Sequence, residues 1–256
     1  MPQLMRTSNP ALSGDTFRTG EAAYGEQMTV SGAVNKTGIL VILCVLTAAW
    51  TWNRFFSAAA TSPEEAMQSV ALPAIVGGIG GFIVAMVTIF KKQWAGITAP
   101  IYALLEGLVL GGVSALLEFK FRGIAIQAVA LTFGTLVAML LVYRSGLIKV
   151  TEKFRIGVVA ATGGIAVFYL LQFILGFFGV HFTSINGATP IGIGFSLLVV
   201  VIAAMNLVLD FDLIEQGARY GAPKYMEWYG AFALMITLVW LYFEILRLLS
   251  KFRSRQ

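Results

Sequence analysis

Residues 189–211 read TPIGIGFSLLVVVIAAMNLVLDF, and this stretch decides the fold class. It contains the aliphatic run from Leu197 to Ile202, in which polar and apolar positions do not alternate. About 20 apolar residues in a helix cross the ~30 Å hydrocarbon core of a bilayer, because each residue adds 1.5 Å. Only helices and closed barrels satisfy their backbone hydrogen bonds in lipid, and a barrel strand would alternate. The stretch therefore predicts a transmembrane helix.

Six further apolar segments share this character and are joined by short connections that contain glycine or proline. They lie near residues 38–56, 68–90, 98–118, 124–143, 156–178 and 228–248. The whole chain is 58% apolar and 12% charged, whereas a soluble domain has about 25% charged residues. This composition excludes a water-soluble globule. We predict an all-α membrane protein that folds as one seven-transmembrane-helix bundle.

The two ends of the chain are polar. Residues 1–37 have no basic start followed by an apolar core, so they do not form a secretory signal. We predict that they form a flexible cytoplasmic tail. The predicted seven-helix domain covers residues 38–249, and residues 250–256 form a basic C-terminal tail.

The distribution of Lys and Arg predicts the orientation of the bundle. Most of them lie in the N-terminal tail and in the second, fourth and sixth connections, whereas the other connections have only Arg54, Lys120 and Arg122 within or beside them. The positive-inside rule then places the N-terminus in the cytoplasm. The basic end from Arg247 to Arg255 would lie outside. We favour seven full crossings over the alternative of a re-entrant last segment.

Several chemistries are disfavoured by residue counts. The single cysteine, Cys44, excludes an intramolecular disulfide, and one His with one Cys makes a zinc site improbable. An intramembrane zinc hydrolase is therefore a weak candidate. We expect no enzymatic activity, no cofactor, no metal site and no nucleic-acid partner.

Carboxyl groups inside the apolar segments are the candidate functional groups. Glu106 lies eight residues after Thr98, about 12 Å into the membrane from the cytoplasmic end. Asp210 closes the sixth segment on the same side. An ionised side chain at membrane depth costs at least ~2.5–3.5 kcal/mol, and apolar surroundings favour the neutral acid. Glu106 and Asp210 are thus candidate proton switches, with a neutral, hydrogen-bonded structural acid as the alternative.

Helical geometry sorts the neighbours of Asp210. Asn206 shares its face at i, i+4 spacing, whereas Asp212 is rotated by about 200° and points to the opposite face. We interpret Glu215 and Glu227 as solvated residues of the cytoplasmic connection. Glu244 is expected to pair with Arg247 at i, i+3 spacing or to reach outward to the interface.

Three segments resemble a known family, the Bax inhibitor-1 (YccA-like) membrane proteins. They are the end of the sixth span, Leu209-Asp210-Phe211-Asp212-Leu213-Ile214, the end of the seventh, Phe243-Glu244-Ile245-Leu246-Arg247-Leu248, and residues 102–110 with Glu106-Gly107. The polar start from Arg6 to Leu12 is similar to that of a bacterial branch. The resemblance covers residues 38–249.

The resemblance implies a bundle with a central seventh helix and a pH-sensitive leak of calcium or other cations. In the family, one aspartate on helix six and one on helix seven are thought to sense protons. Asp210 matches the helix-six aspartate and Asp212 takes the following polar position. The helix-seven position falls on Thr237, which cannot ionise, and we hypothesise that Glu106 replaces the absent acid.

Two functions follow from these observations. The first is an ion-leak channel gated by protonation, with protons and calcium or other cations as transient ligands and Asn206, Asp210 and Thr237 as a polar thread. The second is a non-conducting regulatory protein that binds another membrane protein, such as a quality-control protease, through its tail and Gly-rich helix faces. The lipid bilayer is the surrounding partner in both. The family branch and the absence of a signal predict a multi-pass protein of the bacterial inner (plasma) membrane.

Overall fold

The computed structural model describes residues 26–179 and 182–255, and these residues form a helical bundle. In chain order the helices are α1 (Val30–Ala59), α2 (Pro63–Phe90), α3 (Ala95–Lys120), α4 (Ile124–Arg144), α5 (Glu152–Phe177), α6 (Thr183–Asn186), α7 (Pro190–Arg219) and α8 (Met226–Arg253). A 3-10 turn, Lys92–Trp94, leads into α3.

Within the described residues, seven helices are long and apolar enough to cross a membrane, namely all except the short α6. This confirms the predicted seven-helix bundle, with α7 as the sixth span and α8 as the seventh. Several of these helices begin at polar caps. Ser62, Thr151 and Thr189 each accept a hydrogen bond from a backbone N–H of the first turn of α2, α5 and α7, respectively.

The ends of the first and last spans differ from the predicted boundaries. α1 begins at Val30 behind the cap Thr29, so residues 30–37, which we assigned to the tail, are helical. α1 starts earlier than predicted because Lys36 pairs with Glu227 of α8, a residue far away in the sequence. α8 continues to Arg253, into the predicted C-terminal tail. Residues 1–25 of the predicted tail lie outside the described residues.

Helix α8 lies at the centre of the bundle and packs against α1, α3, α4 and α7. Phe232, Leu241 and Leu246 are among its fully buried side chains. The central position that the resemblance implied for the seventh helix is therefore observed.

Close approach of α1, α2 and α3 depends on glycine. A Cβ atom at Gly107 would lie 2.2 Å from the Cys44 carbonyl oxygen, and one at Gly111 would lie 2.2 Å from the Ala48 carbonyl oxygen. A Cβ at Gly77 would lie 2.5 Å from the Leu105 carbonyl oxygen. The small-residue spacing of α3 thus packs the bundle internally.

The bundle has two ends, which we name the tail-side face and the far face. At the tail-side face, the N–H of Met28 donates to the carbonyl of Ala222 in the α7–α8 connection, at 2.7 Å. At the far face, the Arg253 guanidinium donates to the Arg122 carbonyl between α3 and α4, at 3.0 Å. Within the described residues, α8 runs unbroken from one face to the other, and its length is sufficient for a full crossing.

Candidate functional site

Asp210 lies on α7, about 14 Å before the tail-side end of that helix at Arg219. Its Oδ2 atom is buried and has no hydrogen-bond partner among the described residues. The Thr237 hydroxyl of α8 lies beside the same carboxyl group. A buried carboxylate oxygen without a partner is costly, so this position is chemically unusual in the bundle.

Thr237 is buried, and its hydroxyl donates to the Ala233 carbonyl at 3.3 Å. The structure thus brings together the two positions that the family resemblance pairs, one on each of the last two spans. Here the pair consists of a carboxyl group and a hydroxyl group. A hydroxyl supplies a donor and lone pairs, but it cannot hold a second charge.

Glu106 lies at a different interface, where α1, α2 and α3 meet. The Tyr102 hydroxyl, one turn earlier on α3, lies beside its carboxyl group, and Cys44 of α1 lies nearby. A Cβ atom at Gly81 of α2 would lie 3.0 Å from Glu106 Oε1. No hydrogen bond or electrostatic contact joins Glu106 to Asp210 in the described part of the chain. Thr237, and not Glu106, therefore lies next to Asp210.

Asp212 points away from Asp210, as helical geometry predicted. Its Oδ2 accepts hydrogen bonds from Arg155 Nη2 of α5 at 2.7 Å and from Gln216 Nε2 at 2.6 Å. Both members of the Arg155–Asp212 pair are mostly buried. The pair neutralises the Asp212 charge and ties α5 to α7.

Asn206 also binds α5. Its Nδ2 donates to Thr162 Oγ1 at 2.8 Å and to the Ile202 carbonyl at 2.9 Å. Asp210, one turn later, has its neighbour on α8. The predicted thread of Asn206, Asp210 and Thr237 is thus divided between two helix interfaces.

The prediction that Glu227 is solvated is wrong. Its side chain is fully buried, and Oε1 accepts hydrogen bonds from the Thr29 N–H at 2.8 Å and the Thr29 hydroxyl at 2.9 Å. Lys36 pairs with Oε2. Glu227 fixes the start of α1 to the start of α8, a contact between residues too distant in sequence to be predicted locally.

Two further buried charges lie on α8 towards the far face. Glu244 pairs with Arg247 at 3.0 Å, which is the first of the two predicted alternatives, and also accepts a hydrogen bond from the Tyr169 hydroxyl of α5 at 3.0 Å. Lys251 is 5% exposed, and its Nζ donates to Ser196 Oγ at 2.9 Å and to the Ile185 and Gly192 carbonyls at 2.7 and 3.0 Å. Thr237, Glu244 and Lys251 follow one another at intervals of seven residues, and this spacing is the sequence signal that places the two charges on the same side of α8 as Thr237.

A cavity of about 140 Å³ lies elsewhere, between α1, α3, α4 and α8. Its lining is mainly apolar and includes Cys44, Leu110 and Tyr242. None of the predicted ion- or proton-sensing residues lines it. Within the described residues, no group of three or more His, Cys, Asp or Glu side chains could hold a metal ion.

Comparison with known protein families gives a match over nearly the whole sequence. A family model described as Bax inhibitor 1 like matches residues 9–254, nearly the whole chain. No curated protein and no solved structure matches this sequence.

Proposed function

Because the chain belongs to the Bax inhibitor 1 like family, we propose that it conducts calcium or other cations across a membrane and that protonation of Asp210 controls the flux. The observation that carries the proposal is the buried Asp210 Oδ2 atom, which has no hydrogen-bond partner within the described residues. An ionised oxygen there requires water or a cation, since charge at membrane depth is costly without a partner.

The protonation state of Asp210 would therefore decide what its surroundings contain. The neutral acid can remain between α7 and α8 beside Thr237, which offers one hydroxyl group. The ionised acid attracts water or a cation, which must then enter the packing around this position. Deprotonation thus favours a wetter and more open bundle, which is the physical basis of the proposed gate.

We propose that the protein lies in the inner membrane of a bacterium, with its N-terminus in the cytoplasm. The tail-side face contains Lys91, Lys92 and Lys224 and the basic segment between α4 and α5. This distribution supports a cytoplasmic tail-side face by the positive-inside rule.

Proteoliposomes that contain a calcium-sensitive dye test the proposal. We expect calcium entry into liposomes with the wild-type chain to rise with pH, and Asp210→Asn to remove that dependence while the protein stays folded. Glu64→Gln is the matched control, because Glu64 is an exposed acid at the start of α2. Flux no greater than that of empty liposomes at every pH, or an Asp210→Asn profile equal to that of the wild type, would refute the proposal.

Glu106→Gln separates the two candidate acids. The proposal assigns control to Asp210, so Glu106→Gln should leave the pH midpoint of the flux unchanged. A shifted midpoint in Glu106→Gln together with an unchanged one in Asp210→Asn would assign the sensor to the α1–α2–α3 interface instead.

The second function that the sequence suggests is a non-conducting role in binding another membrane protein. Gly77, Gly107 and Gly111 approach neighbouring backbones within the bundle, so they are not free to contact a partner. This packing favours conduction over docking through those faces. Copurification of a stoichiometric membrane protein with a chain that gives no flux would favour docking.

A further inference from the structure

Helix α5 differs from the other membrane-crossing helices in how it is attached. Its buried residues are Val158 and Ile165. None of its residues belongs to the main apolar core or to the partly buried shell around that core. α5 packs mainly against α7. Apolar packing therefore contributes little to its attachment.

The inner face of α5 carries polar groups at a regular spacing. Arg155, Val158, Thr162, Ile165 and Tyr169 follow one another at alternating intervals of three and four residues, which places them on one side of the helix. Every second one is polar. Polar contacts thus take the positions that apolar side chains occupy in an ordinary helix interface.

Three polar contacts join this face to α7 and α8, and we name them from the tail-side face outward. The tail-side contact is the Arg155–Asp212 ion pair at 2.7 Å. The middle contact is the Asn206–Thr162 hydrogen bond at 2.8 Å. In the far contact, the Tyr169 hydroxyl donates to Glu244 at 3.0 Å and accepts from Arg247 Nη1 at 2.5 Å.

Other features at the far end of α5 agree with a weakly held helix. The Nε2 atom of Gln172, three residues after Tyr169, is buried without a hydrogen-bond partner among the described residues. The apolar contribution there comes from aromatic rings, with Phe168 and Phe195 5.2 Å apart between centroids. Water reaching Gln172 would satisfy it, so the separated state recovers a hydrogen bond that the packed state lacks.

The neighbouring helix is held differently. α7 contributes Ala203, Leu207 and Ile214 to the apolar core that it shares with α8. The buried Lys251 of α8 also binds the first turns of α7 through Ser196 and the Gly192 carbonyl. Separation at the α5–α7 interface therefore breaks few apolar contacts, whereas separation of α7 from α8 would break the core.

We infer that α5 is the movable wall of this bundle and that the three polar contacts to α7 and α8 hold it closed. Loss of one contact leaves the core intact and shifts the equilibrium towards the separated helix. Interhelical hydrogen bonds in membrane proteins change such an equilibrium by about threefold on average and by up to about twentyfold.

Separation of α5 would uncover one side of α7 and α8. Asn206 lies on that side of α7, where it binds α5 in the closed bundle. On α8, Thr237 and Glu244 lie two turns, about 10.5 Å, apart. The uncovered surface would give a polar route from the α7–α8 interface that holds Asp210 towards the far face. The route as a cation path rests on the proposed function, whereas the movement of α5 does not.

The test uses a cysteine reporter on the inner face of α5 in the full chain. In a Cys44→Ala background, Ile165→Cys places one thiol between the middle and far contacts, at a buried position. Its reaction rate with a small, charged methanethiosulfonate reports water access. Val167→Cys, at an exposed position on the same helix, is the reference for a thiol that faces lipid.

Tyr169→Phe removes the α5 hydroxyl of the far contact and leaves the Glu244–Arg247 pair intact. We expect it to raise the Ile165→Cys labelling rate by about threefold to twentyfold. Tyr242→Phe is the matched control, because its hydroxyl pairs with Ser114 at 2.8 Å in the α3–α8 interface. It should leave the rate unchanged.

A second variant keeps the inference falsifiable if Tyr169→Phe does not fold. Thr162→Val removes the acceptor of the middle contact, while Asn206 keeps its hydrogen bond to the Ile202 carbonyl. It should raise labelling to a similar degree. Unchanged labelling in both variants, or an equal rise in Tyr242→Phe, would overturn the inference. Increased labelling without calcium flux would support the movement and refute conduction.

Discussion

Glu227 provides the sharpest test of how the bundle is assembled, because its fully buried carboxylate joins the first helix to the last. Glu227→Ala is expected to lower the free energy of unfolding by about 3–5 kcal/mol, the usual cost of removing one partner of a buried ion pair. The two Thr29 donors would lose their acceptor, and Lys36 would lose its counter-ion.

The structure also predicts the loss of stability for a milder substitution at the same position. Glu227→Gln keeps an acceptor for Thr29 but removes the charge that faces Lys36 and Lys224. The Lys36 side chain is 17% exposed and its Nζ lies 5.4 Å from the Trp228 ring centroid, so it retains partial stabilisation. We expect a loss of about 1.5–3 kcal/mol, the net value of one hydrogen bond to a charged group.

The assay is denaturant unfolding in detergent, followed by tryptophan fluorescence, with the four chains of a double-mutant cycle between Glu227→Gln and Lys36→Gln. The cycle isolates the pair, and a coupling above ~0.5 kcal/mol is expected for residues in direct contact. Glu26→Gln is the control, because its pair with Lys224 at 3.5 Å is exposed and contributes under about 1 kcal/mol. Equal stabilities of Glu227→Ala and Glu26→Gln, or zero coupling, would refute the reasoning.

Three further predictions concern packing, the far face and sidedness. Gly107→Ala should abolish folded protein in detergent, because its Cβ would lie 2.2 Å from the Cys44 carbonyl oxygen. A Cβ at Gly78 would have no atom within 4 Å, so Gly78→Ala should be neutral or stabilising by up to about 1 kcal/mol. Lys251→Met should cost about 1–3 kcal/mol in the same unfolding assay, since three acceptors lose their donor, and an unchanged midpoint would contradict the assigned contacts. Cysteines at Gln27 and Arg255 should react with impermeant reagents from opposite sides of sealed vesicles, and labelling from one side would contradict seven crossings.

The architecture could be predicted from the sequence because a lipid environment constrains each transmembrane segment strongly and locally. A helix that must bury its backbone in hydrocarbon shows its apolar length directly, and all seven spans were predicted. The opposite directions of Asp210 and Asp212 followed from the helical rotation per residue alone. These features depend only on neighbours in the chain.

Features that depend on distant residues were missed. The start of α1 was placed too late because Asn35 and Lys36 look like tail residues, yet Lys36 is held by Glu227 in another helix. Glu227 looked solvated for the same reason. The neighbour of Asp210 also depends on how the helices associate. Thr237 lies beside Asp210, whereas Glu106 lies at a different helix interface.

The distribution of polar and apolar contacts divides the bundle into a rigid part and a weakly held part. α8 can carry Glu244 and Lys251 in a buried position because each finds partners on another helix, Tyr169 and Ser196. α1, α2 and α3 pack closely, because glycine residues let the backbones of neighbouring helices approach one another. Elements that move in function come from the low-stability part of a protein, where few buried apolar contacts hold them. In this bundle that description fits α5, whose polar contacts can be exchanged for water at small cost, so a gate built on α5 could open without unfolding the core.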